Sequence, residues 1–447
     1  MTTCELIIKN CFAILPDFTI LENANIAIHK NLIAAIGPSD EIGHQFQSAN
    51  TIDGSGKLVM PGFVDAHTHT AQQLLRGRTV DEPPMIWSRI LVPYESHLTP
   101  QDVQVSALLC CVEMIKAGIT SFADAGGPHS SMTAEAAIQA GLRAAIAPSN
   151  MDRGDFIPPQ MKQPAAKVIR SNEELFKNYD NSAEGRIHIF FGLRQVMTSS
   201  PQLIELVAGA ARQHKTGIHI HLAEHVNEVD HCLVNYHMRP AEYLNHCGLL
   251  GANVLAAHSI LLSDGEVLML RDKEVKVVHC PRANLGNHGF AKTPLMEALG
   301  VSVGFGTDGV SGHGVDHFTE MMLLKHALHA DQGIPIRQPA ILTSRQVFAM
   351  ATQGGADALL IGREVGMLEV GKKADLTLLN LDQPHLQPTH NLFQTVLTAA
   401  SARDVSDVIV DGRVLMKDRQ LMTLDEDQIR AQAGEHLKAV AIKAGLM

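Results

Sequence analysis

The sequence predicts an α/β protein, a parallel (β/α)8 barrel of TIM-like layout that carries a small β-domain built from both ends of the chain. Three observations lead there. From about residue 59, short apolar or β-branched runs alternate with longer stretches of helical character. About eight such units fit the ~250 residues that a barrel of this kind occupies. Outside that region both ends switch to the period-two alternation of half-exposed strands. A chain of 447 residues has room for one such barrel and an attachment.

The candidate barrel strands are 59–64, 119–123, 144–148, 187–193, 217–222, 254–258, 275–280 and 302–306. Helices are expected between them at 100–118, which starts after Thr99 and ends on glycine, and at 200–214, 263–271 and 293–299. The structural rival is a doubly wound open sheet. No GxGxxG or GxxxxGK[ST] follows any of these strands, so no nucleotide-phosphate loop is indicated. At the N-terminus, 5–8, 25–29 and 32–36 read as strands, interrupted by Pro16, Gly37 and Gly54. At the C-terminus, 374–380 and 405–410 read the same way, and Asp411-Gly412 signals a hairpin turn. Neither end holds enough apolar residues for its own core, so the two are expected to pair. The expected domains are 58–370 for the barrel, and 1–57 with 371–447 for the composite β-domain, closed by a helical tail at 425–444.

Composition narrows the functional classes. Lys and Arg number 36 against 47 Asp and Glu, and the resulting charge of −11 repels phosphate backbones. No run approaches the ~20 apolar residues of a membrane span. The opening MTTCELIIKN lacks the basic start and apolar block of a signal peptide. Seven cysteines, odd in number and without a CxxC pair, suit reduced thiols and a cytoplasmic address. We therefore expect a small-molecule substrate, no nucleic-acid or membrane partner, and a homo-oligomer. The anomaly is histidine, 24 residues against 4 Tyr and 1 Trp.

Five histidine- or aspartate-bearing groups fall at the C-terminal ends of different predicted strands. His67 and His69 follow the first strand; at i and i+2 they point to one side and can converge on one metal ion. His219 and His221 share a face of the fifth strand, and Glu224 lies on the following loop, where its carboxylate can reach a reacting water. His258 and His279 end the sixth and seventh strands, and Asp308 ends the eighth in a glycine-rich setting. Each alone has an ordinary structural explanation: a surface HxH, a hydrogen-bonded core histidine, a helix-start glutamate, an Asp-Gly turn. Together they gain weight, because in a closed parallel barrel these ends meet at one mouth. Imidazoles with one carboxylate suit Zn²⁺, or Fe²⁺, better than Mg²⁺. The histidines at 225, 231, 237, 246, 326 and 329 read mostly as solvated, whereas His313 and His317 follow Asp308 closely enough to line a pocket.

The ordered set PGFVDAHTHTAQQLLRG (61–77), PPMIW (83–87), VPYESHLTP (92–100), EMIKAGITSFAD (113–124), HLAE (221–224), AAH (256–258), HCP (279–281), GTDG (306–309) and GMLEVGKKADLTLLNLD (366–382) resembles the amidohydrolase superfamily. Within it the chain is most similar to the cytosine deaminase and triazine hydrolase-like branch, in particular the 5'-methylthioadenosine/S-adenosylhomocysteine deaminases. The resemblance implies a barrel with a β-sandwich made from both termini. It also implies a hydrolase acting on non-peptide C–N bonds of the amidine type, releasing ammonia from an aminated N-heterocycle such as a purine or adenosine-type nucleoside. The alternative it leaves is hydrolysis of another leaving group, chloro or alkylthio, or of a ring amide at the same site. By position it implies His67, His69, His221 and Asp308 as metal ligands, Glu224 and His258 as acid–base residues with Asp308, and His279 at the substrate. Two-metal members use a carboxylated lysine from the fourth strand; 187–193 has none, so one ion per chain is expected. Glu95 matches the family's nucleoside-sugar contact, and Trp87 lies in a shared stretch. The chain departs from the family after the fourth strand, where His-x-Pro-Tyr is replaced by residues including Arg194 and Gln195, and after HCP, where Arg282-Ala-Asn284 replaces Ser-Asn-x. An arginine at 194 can pair with a carboxylate or a ring oxygen.

Overall fold

In a computed structural model of the chain, residues 1–83, 85–338 and 341–446 are described. Pro84 of the 83–87 stretch and Met447 of the expected 371–447 segment lie outside them. The alternating N-terminal runs form an antiparallel meander of β1 (Leu6–Ile14), β2 (Ile20–His29) and β3 (Leu32–Pro38). β4 (Lys57–Pro61) adds to β1 in parallel. The apolar run 59–64, expected as one strand, is therefore two: β4 stops at Pro61, and β5 (Phe63–Thr68) begins after Gly62. Both strands are buried, so the hydropathy pattern carries no mark of the break. Gly62 makes the joint feasible, since a Cβ there would lie 2.2 Å from the Thr120 side chain.

β5, β6 (Ile119–Asp124), β7 (Arg143–Ile146) and β8 (Ile187–Ile189) make a four-stranded parallel sheet. β9 (Phe191–Leu193), β10 (Ile218–Leu222), β11 (Val254–His258), β12 (Lys276–His279) and β13 (Val303–Phe305) make a five-stranded one. Only Phe190 separates β8 from β9, and its N–H donates to the Ile146 carbonyl at 2.9 Å. At the far edges Thr68 and Asp308 form a parallel bridge, and the Asp308 N–H donates to the His67 carbonyl at 2.8 Å.

Helices Pro100–Lys116, Ser130–Ala140, Ala165–Tyr179, Pro201–His214, Val226–Tyr236 and Asp264–Asp272 fall between successive strands. The side chains of Thr99, Ser200 and Ser263 each accept the backbone N–H three residues on. These residues cap their helices rather than begin them.

At the C-terminus β14 (Leu376–Asn380) pairs antiparallel with β4 on one side and β15 (Val405–Val410) on the other. The two chain ends thus share one nine-stranded sheet. The turn from β15 to β16 (Arg413–Lys417) has Asp411 at φ 52° and Gly412 at φ 75°, the positive pair that a two-residue hairpin requires. Alternation divides the sheet's faces. Leu58, Met60 and Leu379 join the large core shared with the helices, whereas Val59, Leu376 and Leu378 join a separate cluster with Ile8, Ile26 and Ile28. Among the described residues, no helix is long and apolar enough to cross a membrane.

One buried cation ties the two parts together. Arg143, 3% exposed at the start of β7, donates from Nε and Nη2 to the two Asp375 oxygens at 2.6 and 3.1 Å, and from Nη2 to Asp411 Oδ1 at 2.7 Å. Replacing it would leave buried Asp375 without its counter-charge and Asp411 with only the more distant Arg186 and Lys373, each at 3.8 Å. We expect Arg143→Met to destabilise the protein by about 3–5 kcal/mol, read as a lowered urea midpoint; an unchanged midpoint would show that the seam does not rest on this ion group.

Candidate active site

The C-terminal ends of the parallel strands hold the predicted residues. His67 lies in β5 and His69 just beyond it, His221 in β10, His258 and His279 at the ends of β11 and β12, and Asp308 three residues beyond β13. Three of these ends leave extended geometry in an unusual way: Ala223, His258 and Asp308 have φ of 48°, 69° and 60°. The left-handed backbone costs each non-glycine residue about 1–3 kcal/mol, and it swings the side chains across the strand ends. Gly306 allows the close approach of β13 to β5, because a Cβ there would sit 2.6 Å from the His67 carbonyl oxygen. Asp65 anchors the same loop, accepting the Thr307 N–H at 3.0 Å and its hydroxyl at 2.6 Å.

The donor atoms converge. Nε2 of His69 and Nε2 of His221 face each other at 3.2 Å, and Asp308 Oδ1 lies 3.5 Å from His67 Nε2 and 3.6 Å from His69 Nε2. A tetrahedron with bonds of ~2.0–2.2 Å has edges of about 3.3–3.6 Å, so the spacings of His67, His69 and Asp308 suit one shared ion, with His221 beside His69. A hydrogen bond on the far side of the His69 ring settles where its lone pair lies. His69 Nδ1 can only donate to the Gly126 carbonyl at 3.1 Å, which leaves its Nε2 unprotonated. His67 Nδ1 bonds His219 Nε2 at 2.8 Å, and its own Nε2 faces Asp308 Oδ1 at 3.5 Å. Burial pushes the imidazolium forms out: His69 falls to about 3, helped by Arg194 and His67, and His219 and His221 lie well below the usual range. Neutral imidazoles facing one carboxylate are the donor set of a Zn²⁺ or Fe²⁺ site.

His258 is built differently. Asn284 Oδ1 accepts the Cys280 N–H at 3.1 Å, which turns its amide nitrogen toward His258 Nδ1 at 3.0 Å. His258 Nδ1 is therefore an acceptor and Nε2 carries the proton, 3.8 Å from Glu224 Oε1. That ring is a donor aimed at the cluster rather than a ligand. Burial would raise the Glu224 carboxyl, but His258, His288 and His225 around it hold it well below the usual range. Gln195 Nε2 donates to its other oxygen at 3.4 Å. His279 is buried, bonded through Nδ1 to Thr293 Oγ1 at 2.9 Å, with Nε2 unpartnered among the described residues.

Glu95 and Arg194 form a second buried group. Gln72 Nε2 donates to Glu95 Oε1 at 2.7 Å, Arg194 Nη1 lies 3.7 Å from Glu95 Oε2, and the guanidinium sits 5.8 Å from the Trp87 ring centroid. Trp87 also lines a cavity of about 430 Å³ together with Glu224, His225, His288, Asp308 and His313.

Two expectations are corrected here. His317 does not line the pocket: it is buried against Phe63, with Nε2 on the Val64 carbonyl at 3.1 Å, because the helix starting at His317 turns it behind the strands. His225 is not solvated but 8% exposed and lines the cavity. Asn284 had no role in the sequence reading, although it marked a departure there, and neither His288 nor Glu228 was singled out. The residue type alone could have flagged His288, which stands in a loop where the family motif already breaks down.

Known proteins align with this geometry along the whole chain. The family model described as Amidohydrolase family matches residues 58–415. The chain is 36% identical over 422 residues to a 5-methylthioadenosine/S-adenosylhomocysteine deaminase of Pelotomaculum thermopropionicum, covering 94% of each chain. It is 34% identical to a 5'-deoxyadenosine deaminase of Methanobrevibacter smithii, covering 97% of each. Among solved structures it is similar to an adenosine deaminase from Xanthomonas campestris with bound zinc, at a TM-score of 0.92 and 27% identity over 99% of each chain.

Glu228, wholly buried below Glu224, accepts the Glu224 N–H at 3.3 Å through Oε2, and its Oε1 has no partner among the described residues. Burial pushes this carboxyl up to about 8 from 4.5. Between those values the folded chain binds a proton that the unfolded chain has lost, so stability falls as pH rises through the window and levels off above about 8. Glu228→Gln removes that titration. We expect its stability advantage over the native chain to grow from pH 5 to pH 8 by an amount on the order of a few kcal/mol, measured by thermal denaturation at equal metal loading. A gap constant with pH would mean that Glu228 is already ionised in the fold.

Proposed function

The chain belongs to the amidohydrolase family, and on that premise we propose that it is a metal-dependent aminohydrolase releasing ammonia from an adenosine-type substrate. It is a hydrolase acting on C–N bonds. The observation that carries the reading is the gathering of histidine and aspartate donors from distant strands beside an imidazole N–H and an ionised carboxylate. A metal-binding scaffold without turnover would need neither of the last two.

We propose His67, His69, His221 and Asp308 as the ligands of a single Zn²⁺ (or Fe²⁺) per chain, which when bound supplies the Lewis acidity that makes water nucleophilic near neutral pH. Glu224 enters the cycle ionised. It takes a proton from the attacking water and delivers it to the ring nitrogen next to the attacked carbon, so that charge does not build up there. His258 donates its Nε2 proton as a hydrogen bond to the developing oxyanion, a role its Asn284 partner pre-sets. Asp308 holds the water's second proton until the amine leaves as ammonia. Gln195 keeps Glu224 oriented, and His279 lines the heterocycle's site. Glu95, Arg194 and Trp87 face the remainder of the substrate, with Glu95 on the sugar hydroxyls and Trp87 as a stacking surface. Support for the deaminase reading comes from the two relatives named as deaminases of adenosine-type nucleosides.

For the scaffold, we propose that β5 to β13 close into one (β/α)8 barrel spanning 58–370. The Phe190 link and the Thr68–Asp308 bridge support closure. Residues 1–57 and 371–447 would form a β-sandwich beside it, its second core being the Ile8, Ile26 and Leu376 cluster. A cytoplasmic address and a homo-oligomer remain part of this proposal.

Two measurements test the reading. Metal-loaded protein should release ammonia from 5'-deoxyadenosine, 5'-methylthioadenosine or S-adenosylhomocysteine; chloride release from a chlorotriazine without any ammonia from these nucleosides would overturn it. Glu224→Gln should keep its metal and lose ~10²–10⁴ in rate, whereas Asp308→Asn should lose both activity and metal, as read by turnover and metal analysis on the same samples.

A further inference from the structure

We infer that the mouth of the active site holds a second, weaker binding place for a Zn²⁺-type divalent cation, made by Glu224, His225 and His288, and that its occupation shuts the enzyme off. The inference rests on the deaminase reading only for its inhibitory consequence; the binding place itself stands on geometry.

His288 Nε2 lies 3.3 Å from Glu224 Oε1, and His225 Nε2 lies 3.7 Å from the same oxygen. The two rings meet edge to face with centroids 4.0 Å apart. One nitrogen from each ring and one Glu224 oxygen all fall within 4.8 Å of one another. These spacings bracket the edge of about 3.3–3.6 Å expected for a tetrahedral ion with bonds of ~2.0–2.2 Å, so little movement is needed to close three ligands on a cation. Two imidazoles and a carboxylate are a known donor set for Zn²⁺. The three side chains line the same cavity, which leaves the remaining coordination positions to water. Asp81 lines it too and favours a cation by charge, while Glu82 is already paired with Arg78 and Arg89, and Arg282 in the wall with Glu320 at 2.6 Å.

The three donors come from two segments of the chain. His225 caps the helix Val226–Tyr236, Glu224 precedes it, and His288 follows the short helix Pro281–Asn287. None of the proposed resident-metal ligands takes part, so both places can be filled together. A cation on Glu224 Oε1 occupies the lone pairs with which Glu224 relays protons, and it stands in the cavity that substrate must enter. With three protein ligands and an open face, the outer place should bind more weakly than the inner one.

The experiment titrates Zn²⁺ into protein already carrying one equivalent, following heat and deaminase rate in parallel. We expect a second, weaker equivalent whose filling matches the fall in rate. In His288→Ala, and separately in His225→Ala, the first equivalent should persist, which also reports an intact fold. The second should weaken by about tenfold or more, with the inhibitory concentration moving by the same factor. Binding of one equivalent only, or a second equivalent untouched by both substitutions, overturns the proposal. The calorimetric arm needs no turnover, so it stands or falls apart from the choice of substrate.

Discussion

The fate of imidazole lone pairs governs this molecule. The rings of His67, His69, His221 and His258 crowd together with centroids about 5 Å apart, out of contact with water. Charging several of them at once in such a place is prohibitive, which is why burial drives His69 to about 3 and His258 to about 4. Neutral rings still carry one lone pair each, and a buried lone pair without a partner costs about 1–3 kcal/mol. Far-side hydrogen bonds fix the direction for two of them: Gly126 turns that of His69 inward, and Asn284 turns that of His258 outward. The inward pairs gather on one side of Asp308, and the remaining N–H of His258 faces Glu224. A cation among the inward pairs would satisfy several otherwise unmet acceptors at once, which is the physical reason to regard the cluster as a metal centre.

The same convergence accounts for features that are costly in isolation. Left-handed backbone at Ala223, His258 and Asp308 is destabilising at each residue, yet each sits where a strand must end abruptly so that a side chain can turn across its neighbour. Asp65 is likewise expensive, a wholly buried carboxyl raised to about 7 by desolvation, but it pins Thr307 and so fixes the approach to Asp308. At these positions strain and desolvation serve the geometry of the cluster.

Sequence was most informative where chemistry and periodicity coincide. The i, i+2 spacing of His67 and His69, the strand-end positions of His221, His258 and His279, and the Asp-Gly after an apolar run were legible because strand alternation fixes which side chains share a face. The paired ends of the chain were legible for a related reason, since each showed period-two strands without a core to bury them. The break at Gly62 was not, because a buried strand on either side of it leaves a continuous apolar run. Nor were His225, His288 and Asn284: each acts through a loop or helix start whose direction depends on tertiary contacts, such as the Cys280 N–H that orients the Asn284 amide. Spacing in sequence holds no trace of those contacts. His317 illustrates the converse, a histidine near the site in sequence that the following helix carries behind the strands.

The state of Glu224 follows from its neighbours and constrains the order of proton transfers. A buried carboxyl beside a substrate ring is commonly kept protonated by desolvation, ready to act as an acid. Here desolvation is the largest influence, but it is outweighed by His258, His288 and His225 acting together. The carboxyl that desolvation does keep neutral is Glu228 beneath it, raised to about 8 and lacking a cation partner. The two glutamates are four residues apart, and their environments push them to opposite protonation states. In the proposed mechanism Glu224 starts charged and draws its proton from the attacking water, so that water activation comes first. An enzyme with apolar groups in place of His225 and His288 could begin from the protonated acid instead. The imidazoles of His225 and His288 beside Glu224 thus favour the ionised carboxylate from which the proposed relay starts.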